Sequence, residues 1–210
     1  EAVGTVRSKV ASVLSSMITG QILAVHVREG DRVRAGQLLM EIDNREAAAQ
    51  LQKAQAGLRE AREMLEEMGR NIRAAESAKM AAEANKTLAI STFKRYKTLL
   101  ERRSVSPQEF EEVQARHHAT IAEADHAKEM HRALLAKKGQ MLVKMEQAKT
   151  EVNNAQLLVG YARIASPIDG LVTAKQAEVG ALATPGLPLV TVEDDTQYHL
   201  EAVVEESQIG

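Results

Sequence analysis

The chain has no cysteine and no tryptophan, and only three tyrosines and two phenylalanines. The lack of cysteine excludes disulfide staples, cysteine zinc sites and a thiol nucleophile, and it leaves the redox compartment open. At 2% aromatic residues, a core or binding surface built on aromatic anchors is nearly excluded. No large charge of one sign is present: 27 Lys and Arg stand against 29 Asp and Glu. That balance gives no footprint for nucleic acid or for an anionic membrane surface. No apolar run approaches about 18 residues, so no segment reads as a membrane-spanning helix. The first residue is Glu1 rather than Met, so any targeting or anchoring segment is expected to have been removed. What remains is 210 residues, 44% hydrophobic and 27% charged, which reads as a folded chain of one or two domains.

Composition divides this chain in three. Between 44 and 160, Ala, Glu, Leu, Lys and Arg make up 68 of 117 residues, about 58%. That exceeds the level of about 50% that marks long helices and coiled coils. Of the 12 glycines, 8 lie in the flanks, as do 3 of the 4 prolines. The middle carries a net charge of +4 and the flanks carry -6. An all-helical middle between two β-rich, turn-rich segments follows.

Two seven-residue series run through the second half of the middle. Phe110, His117, Ala124, His131, Lys138, Met145, Val152 and Val159 form one. Val113, Thr120, Ala127, Leu134, Met141, Ala148 and Ala155 form the other. Heptads sustained over some fifty residues predict a coiled coil. The first half repeats through Leu51, Leu58, Leu65 and Ile72, with Ala54, Ala61, Met68 and Ala75. Its phase slips near Lys79 and resumes through Leu88, Phe93, Tyr96 and Leu99, which predicts a stutter.

Between the halves, Ser106, Pro107 and Glu109 spell a helix start: a hydroxyl cap, a proline at the first helical position and the acid of a capping box. Asp43 with Glu46 predicts a similar start for the first helix, and Gly160 predicts the stop of the second. The middle thus reads as two antiparallel helices joined by a short loop. At 1.5 Å per residue, a helix of about 58 residues is about 87 Å long. The flanks, 20–43 and 161–192, show short apolar strands broken at Gly20, Gly30, Gly36, Gly170, Gly180 and Gly186. Neither flank holds enough strands for a stable sheet, so the two are expected to join into one sandwich with the hairpin inserted between them.

Three segments together carry a family resemblance: 20–43, 164–172 (IASPIDGLV) and 198–209 (YHLEAVVEESQI). In this order they resemble the first lipoyl half, the second lipoyl half and the first β-barrel strand of the membrane fusion proteins. These are the HlyD/AcrA-like periplasmic adaptor subunits of bacterial tripartite efflux pumps. The resemblance implies an α+β fold, with a long antiparallel α-helical hairpin inserted into a split lipoyl-like β-sandwich, plus the start of a β-barrel domain. Its domains would be 11–43 with 161–193 (lipoyl-like, or barrel-sandwich hybrid), 44–160 (hairpin), and 1–10 with 194–210 (partial barrel). A chain stopping at Gly210 would hold only the beginning of that barrel.

Segment 95–106 (RYKTLLERRSVS) resembles the adaptor tip motif of Arg, Leu four later and Ser seven after that. The resemblance assigns Arg95, Leu99 and Ser106 to contact with a TolC-type outer-membrane channel. It further implies an inner-membrane transporter as second partner, a hexameric homo-oligomer, and a periplasmic location anchored at the inner membrane. No nucleic acid partner and no cofactor are expected. The tip motif favours an RND transporter, with ABC-type adaptors as the alternative.

Other chemistry finds little support. His117 and His118 are adjacent, with His126 and His131 beyond, and no pair has the i, i+4 spacing of a helix-borne metal site. No phosphate loop, nucleophile elbow or zinc-protease motif is present, so no enzymatic activity is expected. A biotinyl or lipoyl carrier would have the same β fold. There, however, Asn44 stands where the modified lysine would be, and no lysine lies between Lys9 and Lys53. A plain coiled-coil scaffold explains the hairpin but not the split β segments around it.

Overall fold

The computed structural model describes residues 4–202. Its strands in the first flank are β1 (Gly4–Ser8), β2 (Ala11–Ser15), β3 (Gly20–Val25), β4 (Arg32–Val33) and β5 (Leu38–Ile42). Two helices follow, α1 (Arg45–Glu101) and α2 (Pro107–Gly160). The second flank gives β6 (Arg163–Ala165), β7 (Gly170–Lys175), β8 (Leu182–Ala183), β9 (Pro188–Glu193) and β10 (Tyr198–Ala202). The chain divides into two compact units, one running to Ala54 and resuming at Glu151, the other Gln55–Thr150.

In the first unit, two four-stranded sheets have the orders β2-β9-β7-β4 and β6-β5-β3-β8. Each sheet draws strands from both flanks. The short strand β4 of the first flank joins β7, and its counterpart β8 of the second joins β3. Neither flank can therefore complete a sheet alone. The sandwich requires both, across the whole helical insertion.

The two flanks repeat each other at an offset of 150 residues. Gly30 and Gly36 take φ of 91° and 82°, and Gly180 and Gly186 take 89° and 85°, so all four turns need the left-handed freedom of glycine. Gly30 N–H donates to Val172 O and Gly180 N–H to Ile22 O, both at 2.8 Å. Ser16 and Ser166, each 2% exposed, donate their hydroxyls to the carbonyls of Ile18 (2.6 Å) and Ile168 (2.7 Å). Buried hydroxyls satisfied so locally leave the core free of polar debts. That core includes Ile22, Leu39, Met40, Val172, Leu189, Val190 and Val192, all at most 1% exposed. Leu39 with Met40 and Leu189 with Val190 are consecutive buried pairs, so β5 and β9 are covered on both faces at these positions rather than alternating simply. Gly170 is confined for another reason: a Cβ there would lie 2.2 Å from the Glu193 carbonyl oxygen.

β1 pairs antiparallel with β10 in a separate two-stranded sheet, from Gly4 opposite Ala202 to Ser8 opposite Tyr198. Residues 1–3 and 203–210, where the rest of the expected barrel segment falls, lie outside the described residues.

The helices differ from the sandwich in having almost no deep interior. Met68, Ala82, Ala124 and Ala155 are their only fully buried residues. The expected seam positions of α2 are all shielded except Lys138, which is exposed. On α1 the expected stutter is absent. Shielded positions continue in unbroken heptad phase from Ala75 through Lys79, Ala82, Lys86 and Ala89 to Phe93, Tyr96 and Leu100. Leu88 is instead 65% exposed. The apparent slip comes from lysines occupying seam positions. Lys79 and Lys86 lay their stems along the seam, with side chains 28% and 31% exposed, and carry the ammonium groups to Glu83 and Asp125.

The helix ends are also corrected in part. Asp43 accepts the Arg45 N–H (3.0 Å) and pairs with the Arg45 guanidinium (2.7 Å), and Glu46 takes no part in a capping box. Asn44, at the carrier-lysine position, accepts the first helical bond, from Ala48 N–H at 2.7 Å. Gly160 is the last helical residue but is not left-handed. The end is closed by Tyr161 N–H on Leu157 O (2.9 Å) and Ala162 N–H on Val159 O (3.3 Å). No helix among the described residues is long and apolar enough to cross a membrane.

Candidate docking site at the hairpin tip

The tip is made by the last two turns of α1, a five-residue loop and the first turn of α2. Ser106 starts α2 with the expected capping box. Glu109 N–H donates to Ser106 Oγ (3.2 Å), while Glu109 Oε2 accepts both Ser106 N–H (2.7 Å) and the Ser106 hydroxyl (2.9 Å). The Ser106 N–H first, and then its hydroxyl, hold the Glu109 carboxyl below the usual glutamate range. Because the Ser106 proton is committed to Glu109, the hydroxyl faces any further partner as an acceptor.

At the other side of the loop, α1 ends in a Schellman motif. Ser104 N–H reaches Leu99 O and Arg103 N–H reaches Leu100 O, both at 2.9 Å. The residue that must turn left-handed is Arg103, at φ 54°. Glycine is usual there. An L-residue pays roughly 1–2 kcal/mol to adopt that conformation. Sequence reading had no signal for Arg103, because the missing glycine hides the helix end.

Of the expected tip residues, Arg95 is exposed, Leu99 is half-shielded with its carbonyl used in the motif above, and Ser106 is exposed. Arg95 and Leu99 lie one turn apart on one face of α1. Beneath them sits the aromatic content that the chain otherwise lacks. Phe93 lies 5.5 Å from Phe110 and stacks on His117 at 4.5 Å, while His118 meets His117 edge-on at 5.4 Å. Both phenylalanines of the protein are thus spent on clamping α1 to α2 just below the loop. His117 holds its predicted seam position, with Nδ1 buried and without a protein partner.

Comparison with known proteins places this architecture. A family model described as "RND MFP, barrel-sandwich hybrid domain" matches residues 9–193. The chain is 29% identical over 193 residues to the multidrug resistance protein MdtA of Proteus mirabilis, covering 91% of this chain and 37% of that protein. It is 26% identical over 202 residues to the multidrug export protein EmrA of Haemophilus influenzae, covering 93% and 51%. The crystal structure of MacA from Actinobacillus actinomycetemcomitans shares the fold with a TM-score of 0.58 at 23% identity, covering 98% of this chain and 56% of that one. The chain thus spans about half or less of these relatives' length. The split sandwich, the inserted hairpin and the match across 9–193 make this chain a member of the RND membrane fusion protein family, whose barrel-sandwich hybrid domain it carries.

Proposed function

We propose that this protein is a non-catalytic periplasmic adaptor, anchored at the inner membrane, which joins an inner-membrane transporter of the RND class to a TolC-type outer-membrane channel for the efflux of small molecules. The observation that carries this reading is the hairpin itself: a two-helix insertion ending in Arg95, Leu99 and Ser106. In this reading 11–43 with 161–193 form the lipoyl-like domain, 44–160 the hairpin, and 1–10 with 194–210 the start of a β-barrel domain. Arg95 and Leu99 contribute a charge and an apolar contact, and Ser106 an acceptor. Six copies form a ring, and the energy for transport comes from the transporter. The full-length protein should co-purify with the channel, and Arg95→Asp should abolish that capture and drug efflux together. Equal capture and unimpaired efflux in the variant would overturn the tip assignment.

A further inference from the structure

We propose that Arg103 is a docking residue in its own right and that the surface it meets on the channel is acidic. This rests on the reading that the tip docks to the channel. It adds a residue outside the three already named and states the chemistry of the partner.

Three observations converge. First, segment 94–106 carries five cations, Lys94, Arg95, Lys97, Arg102 and Arg103, against one acid, Glu101, with Glu109, Glu111 and Glu112 following on α2. Within it the loop 102–106 holds Arg102 and Arg103 and no acid. Second, all five side chains are exposed, and among the described residues none of them has an ion-pair or hydrogen-bond partner. Third, Arg103 occupies the one left-handed position of the loop. The two Schellman bonds are made by backbone groups and need no side chain. A glycine would make them without strain, so the loop gains nothing locally from the guanidinium. Strain retained for an unpartnered charge points to a role outside the chain. A planar guanidinium suits bidentate pairing with carboxylates.

A purely structural alternative exists: Arg102 and Arg103 follow the C-terminus of α1, where positive charge offsets the helix dipole. Substitution by glycine separates the two. Arg103→Gly relieves the left-handed strain and removes the exposed side chain together with its charge. The experiment uses the full-length adaptor in detergent, the purified outer-membrane channel, and affinity measured at about 0.05 M and 0.5 M salt, across which screening of exposed charges tightens severalfold in distance. Thermal melting is recorded for each variant. The expected result is an Arg103→Gly protein that melts at or above the wild-type temperature but binds the channel about tenfold more weakly, the loss typical of one interfacial arginine. Arg103→Lys should recover part of that loss, and wild-type affinity should fall steeply with salt. Wild-type affinity in Arg103→Gly, or binding indifferent to salt, overturns the proposal. If Arg95→Asp fails to bind while Arg103→Gly binds normally, the tip still docks and only the Arg103 assignment is wrong. If neither substitution matters, or the wild type itself does not bind, the docking reading falls as well.

Discussion

At the scale of single residues, Ser106 and Glu109 form the most explicit device in the hairpin. Each satisfies the other, so removing one leaves backbone donors of α2 without partners. Ser106→Ala should destabilise the hairpin by about 1 kcal/mol, read by thermal melting. The pH dependence has a definite sign. The folded-state pKa of Glu109 is lowered, so its contribution is present above the unfolded glutamate pKa and is lost as pH falls through the folded value. Carbon-13 titration of the Glu109 carboxyl should show a midpoint below that of ordinary glutamates, and Ser106→Ala, which removes the hydroxyl but keeps the larger contribution of the backbone N–H, should raise it only part of the way. Identical midpoints in both proteins would contradict the capping geometry. Glycines make a second residue-scale test. Gly170→Ala forces a methyl against the Glu193 backbone and should cost about 1–3 kcal/mol. Gly57→Ala, in mid-helix with open space around it, should stabilise by up to about 1 kcal/mol.

At the scale of elements, much of the fold was legible in the sequence because the periods are simple. The α2 seam, the capping box at Ser106 and the glycine turns were each readable from residue type and spacing. Three features were not. The expected stutter rests on a slip near Lys79 and a restart at Leu88, whereas burial at Lys79 and Lys86 shows that a long aliphatic stem can hold a seam position while its charge leaves it. The end of α1 carried no glycine to mark it. The 150-residue repeat is present in the sequence, in pairs such as Gly20/Gly170 and Leu39/Leu189, but the helical insertion separates its halves. Of the site, Arg95, Leu99 and Ser106 came from family resemblance alone; helix periodicity gives only the shared face of the first two. A substitution pair tests the corrected seam. Leu88→Lys should change stability by less than about 0.5 kcal/mol, as at an exposed position. Ala82→Lys, at a site 7% exposed, should cost several-fold more. The reverse order would restore the stutter.

At the scale of the whole molecule, the deep core and the proposed docking site sit in different places. The sandwich holds the deep core, in which Leu39→Ala should cost about 2–5 kcal/mol. The hairpin holds the exposed charges and the tip, with a thin seam and one aromatic clamp. Because β4 and β8 cross between the flanks, the sandwich closes only when both ends of the helical insertion return to it. This couples the hairpin to the fold without requiring it to contribute a core. The proposed hexamer belongs to this scale as well: sedimentation of the full-length protein should reveal a six-copy species, and a strict two-chain rod would contradict the ring.

The central proposal is that the hairpin tip, from the last turns of α1 to the start of α2, is the surface that meets the outer-membrane channel. The most direct measurement is photo-crosslinking in intact cells, with a photoreactive residue placed at Leu99 of the full-length protein and, separately, at Gly139 in mid-helix. The account predicts a crosslinked product containing the outer-membrane channel from position 99 and none from position 139. A channel adduct from 139 with none from 99, or adducts from 99 only to the inner-membrane transporter, would contradict it.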